Sequence, residues 1–216
     1  MSTGRFQRFL PITGILFAIL LALGIGLTLD EPSKTDSIQR VFSYWHGHKG
    51  VELISSILLI HLSAVLLVFF GAGLRAALRS GEAEEASYSS VAYGGAILAA
   101  AGFSLVAVLA AAAANSADQG ARATVYTINQ LASWDWLAWT PGLTVMLIAA
   151  GLGGLRTLAL PRALCYSALF LGVAFFTPAG PFALLLLPPW TLAASLVLYR
   201  GQRHPRVTPV AAGSAA

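Results

Sequence analysis

Residue types that transfer protons or bind metals crowd into one short segment of an otherwise apolar chain. Tyr44 to Ser63, YWHGHKGVELISSILLIHLS, holds three of the four histidines, a lysine and a glutamate, although the 216 residues are 57% hydrophobic and only 10% charged. His46 and His48 flank a glycine, and Glu52 follows His48 by four residues, which places imidazole and carboxylate on one face of a helix start. Two imidazoles and a carboxylate are reasonable ligands for zinc, copper or another transition ion, with Asp30 or Asp135 available from another loop. His46, His48 and Glu52 are therefore a candidate divalent-metal site, and the alternative is a set of polar residues anchoring a helix end.

His61 is separate from that set. It follows Glu52 by nine residues, about 900° of helix, and so faces the opposite side. It also lies about 15 Å into an apolar run, near the middle of a bilayer. Ionisable groups at that depth are functional candidates by default, although a neutral imidazole bonded to a neighbouring helix is a sufficient structural explanation. One such histidine cannot supply both axial ligands of a b-type haem, and no lysine lies within an apolar run to form a retinal Schiff base. Nucleophile elbows, His-Glu-x-x-His helices and phosphate-binding glycine loops are absent. No catalytic residue is assigned, no cofactor other than the candidate metal is implied, and the chain reads as non-enzymatic.

The elements that must position these residues are membrane spans. A mean hydropathy of +0.75 lies far above that of soluble domains, and spans of about 20 apolar residues fit at 9–29, 51–73, 90–113, 136–155, 160–178 and 182–199. The last two are split by TPAGP, Thr177 to Pro181, a turn signal. Ala22-Leu23-Gly24 makes a poor cleavage site, so the first span is expected to be retained. With the N-terminus inside, Arg5, Arg8, Arg75, Arg79, Arg156, Arg162, Arg200, Arg203 and Arg206 all fall on the cytoplasmic side, nine of the thirteen basic residues. The expected fold is an all-α bundle of six spans at 1–200 with both termini cytoplasmic, followed by a tail at 201–216. The net charge of +4 then reflects topology and requires no nucleic-acid partner.

Finer features accompany this frame. The loop at 115–135 has Ala121, Val125, Ile128 and Ala132 at helical spacing, which predicts a short interfacial helix; Ser133 is placed to cap the span that follows. Trp45, Trp134, Trp136 and Trp139 collect at one boundary as an aromatic belt. Gly14, Ala18, Ala22 and Gly26 strip one face of the first span for close helix approach, as do Gly94, Gly95, Ala99 and Gly102 in the third. Pro188-Pro189 interrupts the sixth span and frees the carbonyls of Leu184 and Leu185, one of which the Trp190 indole is placed to meet. Glu82, Glu84 and Glu85 read as a solvated turn, and the lone Cys165 as a small core residue.

The segments HKGVELISSILLIHLSAVLLVFFGAGLRAALR, VAYGGAILAAAGFSLVAVLAAA and LRTLALPRALCYSALFLGVAFF resemble a family of uncharacterised six-span bacterial membrane proteins, frequent in actinobacteria. The resemblance rests on hydropathy and arginine punctuation from Tyr44 to Arg200 and implies a multi-pass protein of the cell membrane without an assigned activity. The residues point to an outward-facing pocket between the second, fourth and sixth spans, lined by Glu52, His61, Trp136, Trp139 and Trp190, for a small apolar molecule or lipid. A scaffold that docks a partner membrane protein or a second copy is the alternative, and an outer metal site at His46, His48 and Glu52 the third.

Overall fold

The computed structural model describes residues 3–27, 30–83, 86–177 and 179–203, with side chains from Phe9 to Gly201. Residues 204–216, most of the expected tail, and Glu84 and Glu85 lie outside the described residues. Among those described the chain is helical, without strands. Nine α-helices run α1 (Thr3–Leu27), α2 (Ile38–Gly47), α3 (Lys49–Ile54), α4 (Leu62–Arg79), α5 (Tyr88–Asp118), α6 (Arg122–Ala132), α7 (Trp136–Thr157), α8 (Arg162–Ala174) and α9 (Gly180–Arg203). A π-helical segment, Ser55–His61, joins α3 to α4, making one rod from Lys49 to Arg79.

Among the described residues five stretches are long and apolar enough to cross a membrane: Phe9–Leu27, Lys49–Arg79, Tyr88–Asp118, Arg122–Thr157 and Gly180–Gly201. In hydrocarbon only a helix satisfies every backbone donor and acceptor within one segment, so this composition marks a membrane protein. The stretch expected as the fifth span is shorter. Its helix starts at Arg162, after Pro161 has held the preceding residue out of the α region, and ends at Ala174 before the TPAGP turn. Thirteen residues rise only about 20 Å.

The long helices pack in a closed ring, α1 against α4, α4 against α5, α5 against α7, α7 against α8, α8 against α9 and α9 back against α1. The largest contact is α5 with α7, and it is made backbone to backbone. A Cβ on Gly142 would lie 2.6 Å from Ala99 Cα and 2.8 Å from the Gly95 carbonyl. One on Gly102 would lie 2.6 Å from Trp139 Cα. Small residues permit this approach, and dispersion between the two backbones is the gain.

Helix phase decides which of the small residues take part. Gly95, Ala99 and Gly102 are buried, whereas Gly94 is exposed with nothing near it. In α1, Gly14 and Ala18 are buried but Ala22 and Gly26 are exposed, and Gly24 packs near Leu59 and Ile60 instead. Residues spaced by four drift about 40° per step on a helix with 3.6 residues per turn, so the expected stripe leaves the interface by its third member.

Pro188 and Pro189 do not break α9, which is helical from Gly180 to Arg203. The Trp190 indole donates to the carbonyl of Leu164 in α8 at 3.1 Å, not to Leu184 or Leu185 of its own helix. At the α4–α5 turn, Glu82 has a structural role: it accepts the backbone N–H and hydroxyl of Ser89 at 3.0 and 2.5 Å and pairs with Arg79 at 3.6 Å.

Gly142→Ala is expected to force α5 and α7 apart, a strain of about 1–3 kcal/mol for overpacking, read as a lower melting temperature in detergent. Gly94→Ala, on the same helix as Gly95 but facing open space, is the control and should melt with the native protein.

Candidate functional site

One end of the ring carries a cap built from α2, α6 and the loop before α2. Ser37 starts α2 by accepting the Arg40 N–H at 3.3 Å. Val41 and Trp45, four residues apart, then share a buried face against Ala113, Ala114 and Ala117 of α5 and Val125 of α6. α5 makes this possible because its 31 residues extend about 46 Å, well beyond a 30 Å hydrocarbon core. Polar ties hold the cap in register. The Trp45 indole donates to Asn129 Oδ1 at 3.2 Å, the Asn129 amide to Pro32 O at 3.5 Å, and Gln130 to Lys34 O at 2.8 Å. Lys49 pairs with Asp118 at 2.7 Å.

Where cap and ring meet there is a cavity of about 90 Å³. Glu31 and Pro32 line it from the loop, Trp45 from α2, Glu52 from α3, Ser56 and Ile60 from the π-helical segment, and Val106 and Ala110 from α5. Asn129, Ala132, Ser133 and Asp135 close it from α6 and the turn that follows. Glu52, Ser56 and Ile60 are spaced by four, which on an α-helix would drift off one face. The wider π turn advances less per residue, which offsets the drift, and such segments recur at functional sites.

Glu52 is 1% exposed and accepts the Tyr44 hydroxyl on Oε1 at 2.6 Å. Burial and this bond push the Tyr44 phenol above its ordinary value. Burial, together with the Glu52 and Asp135 carboxyls, pushes Glu31 up to about 8, while the exposed part of its side chain lets solvent screen the effect.

Of the residues expected around a pocket, only Glu52 lines the cavity. His61 is exposed beside Ile57, Leu58 and Val65 and does not line the cavity. Trp139 is buried between Phe103 and Phe175, stacked on the first and edge-on to the second, and Trp190 is buried edge-on to Phe70. Trp136 packs half-buried against the same core. These rings fill the ring interior and do not stand around a void. The aromatic belt is correspondingly reduced: Trp45 and Trp139 face inward, and Trp134 is exposed beneath Lys34.

The metal set does not assemble. His46 turns Nδ1 toward Ala117 O at 3.3 Å and stacks on Phe42; His48 turns Nδ1 toward Tyr44 O at 3.0 Å and stacks on Tyr44. Glu52 is taken by Tyr44, and among the described residues no three His, Cys, Asp or Glu side chains come close enough to hold an ion. Ser133 does not cap α7, since its hydroxyl donates to Asn129 O at 2.9 Å.

Sequence reasoning missed Glu31, Ser56, Asn129 and Ser133. Asn129 had a readable signal, an amide on the same face as Val125 in an amphipathic helix. Glu31 had none, because a loop carboxylate shows its surroundings only after folding.

Tyr44→Phe leaves a buried carboxylate without its donor, a loss of about 1–3 kcal/mol, and a clear drop in melting temperature is expected. The folded chain keeps the Glu31 proton up to about pH 8, whereas the unfolded chain releases it near 4.5. Stability is therefore expected to fall as pH rises between those values and to level above them. Glu31→Gln should flatten that slope in thermal melts; parallel profiles for variant and native protein would contradict it. Comparison of the chain with family models, with curated proteins and with solved structures gave no match, so the functional reading rests on this geometry.

Proposed function

We propose that the chain is a six-span protein of the cell membrane that binds a small solute beneath an outward-facing cap. The single observation that carries this reading is the cavity, bounded by five separate parts of the chain with a buried carboxylate in its wall. The expectation of an apolar molecule or lipid gives way to a polar solute. Three carboxyls, an amide and two hydroxyls line the cavity, with Ile60, Val106 and Ala110 among its apolar walls. Its volume is smaller than the roughly 150 Å³ that accommodates benzene in an engineered core and far below drug-sized pockets of about 300 Å³ or more.

The closed ring supports six crossings, with α8 as the short sixth member. A helix of that length is accommodated by local bilayer thinning at modest cost. Arg75, Arg79, Arg156, Arg162 and Arg200 are carried by the helix ends away from the cap. The positive-inside rule then places those ends in the cytoplasm and the cap outside. Reporter fusions at the two termini should both report the cytoplasm.

A second reading, docking of a partner membrane protein or a second copy, is favoured by His61. It is exposed among Ile57, Leu58 and Val65, where lipid offers an imidazole no hydrogen-bond partner. His61→Leu should weaken a complex formed there and leave a solute site untouched.

Thermal-shift screening of small amines, amidines, amides and alcohols tests the main reading. At least one is expected to stabilise the native protein and to have no effect on Ala110→Leu, whose added side chain fills the cavity. A panel without any stabilising member counts against it.

A further inference from the structure

We infer that the cavity is a site for a compact organic cation of the amidinium or ammonium class, held between Glu52, Glu31 and Asp135; this deepens the solute-binding reading and rests on it. Glu52 is 1% exposed, and among the described residues only Tyr44 donates to it, on Oε1. Oε2 is left without a donor in a residue that lines the cavity. Oε2 is not among the fully enclosed polar atoms without a partner, and a donor entering the cavity would give it a charge-assisted bond.

The other polar wall residues offer acceptors too. The Ser56 hydroxyl donates to Leu53 O at 3.3 Å and the Ser133 hydroxyl to Asn129 O at 2.9 Å. Each has spent its one proton and presents lone pairs. The Asn129 amide nitrogen is directed at Pro32 O, and its oxygen is held by Trp45. Once an incoming cation displaces the Glu31 proton to solvent, the wall is rich in acceptors and poor in donors, which selects a ligand with several N–H groups.

Charge points the same way. Among the described residues no lysine or arginine lines the cavity, and three cations of the cap are engaged elsewhere. Lys49 is paired with Asp118, Lys34 lies over Trp134 and Arg122 over Phe42. His48, beside Glu52, stacks on Tyr44. A bare metal ion is disfavoured because no three ligating side chains converge among the described residues. A polyatomic cation with donors spread across its width reaches separated carboxyls, and charge-assisted bonds are the strong ones. The cavity volume of about 90 Å³ limits it to a few heavy atoms.

Acetamidinium and acetamide have nearly the same shape and differ in charge, which makes them the discriminating pair. Calorimetric titration of the full chain in detergent, at matched ionic strength, should show acetamidinium binding at least about ten-fold tighter than acetamide. Glu52→Gln should remove most of that preference, and sodium chloride alone should not compete. If Glu52→Gln does not fold, Glu31→Gln keeps the Tyr44–Glu52 pair and should weaken acetamidinium selectively. Equal binding of the two probes, or an unchanged preference in the carboxylate variants, overturns the cation assignment. If acetamide binds equally and Ala110→Leu abolishes both, the solute cavity stands and only the ligand class falls. If neither probe binds, the cation assignment falls, and the wider screen decides the cavity.

Discussion

Backbone contact between α5 and α7 is the constraint on which the remaining geometry depends. At Gly95, Gly102 and Gly142 the helices approach until one added carbon would collide with main chain. In lipid no hydrophobic gradient presses helices together, so close packing must supply the attraction. α7 is enclosed over the largest share of its length, with twelve of its 22 residues buried against twelve of 31 in α5, and it borders both halves of the ring. Each cavity wall is referred to this pair: Val106 and Ala110 ride on α5, Asp135 immediately precedes α7, and α2 and α6 rest on the far end of α5.

The cap shows how a membrane protein places polar chemistry at low cost. Glu52 is at the start of the rod that includes α4, so it gains burial from the cap without standing in mid-bilayer, where a charge is far more expensive. Tyr44, eight residues earlier in α2, reaches it because the two helices are joined by a single turn around His48. The site is thus assembled locally along the chain on one wall and by distant segments on the others.

Much of this architecture was legible in advance because lipid leaves few choices. Long apolar runs must be helices, and a turn rich in proline and glycine must interrupt the last of them. What escaped was phase and closure. A stripe drawn at intervals of four through Gly14, Ala18, Ala22 and Gly26 ignores the slow rotation of a real helix, and Gly24 held the place assigned to Gly26. The tryptophans illustrate the other difficulty. Composition shows that Trp139 and Trp190 lie near apolar segments, but whether an indole lines a void or fills it depends on neighbours such as Phe103, Phe175 and Leu164, which are distant in the chain. Glu52 lies buried in the cavity wall whereas His61 is exposed, and the π-helical turn between them, which the spacing of nine residues does not reveal, alters the phase counted for an α-helix.

The order of the ring has a consequence for biosynthesis. α1 lies between α4 and α9, and Gly14 is packed against both Phe70 and Ser195. Its second neighbour therefore leaves the ribosome long after α1 itself. Until α9 is inserted, the first helix is held from one flank only, with a groove beside Gly14 open to lipid. Insertion of α9 thus has to displace lipid from the first helix.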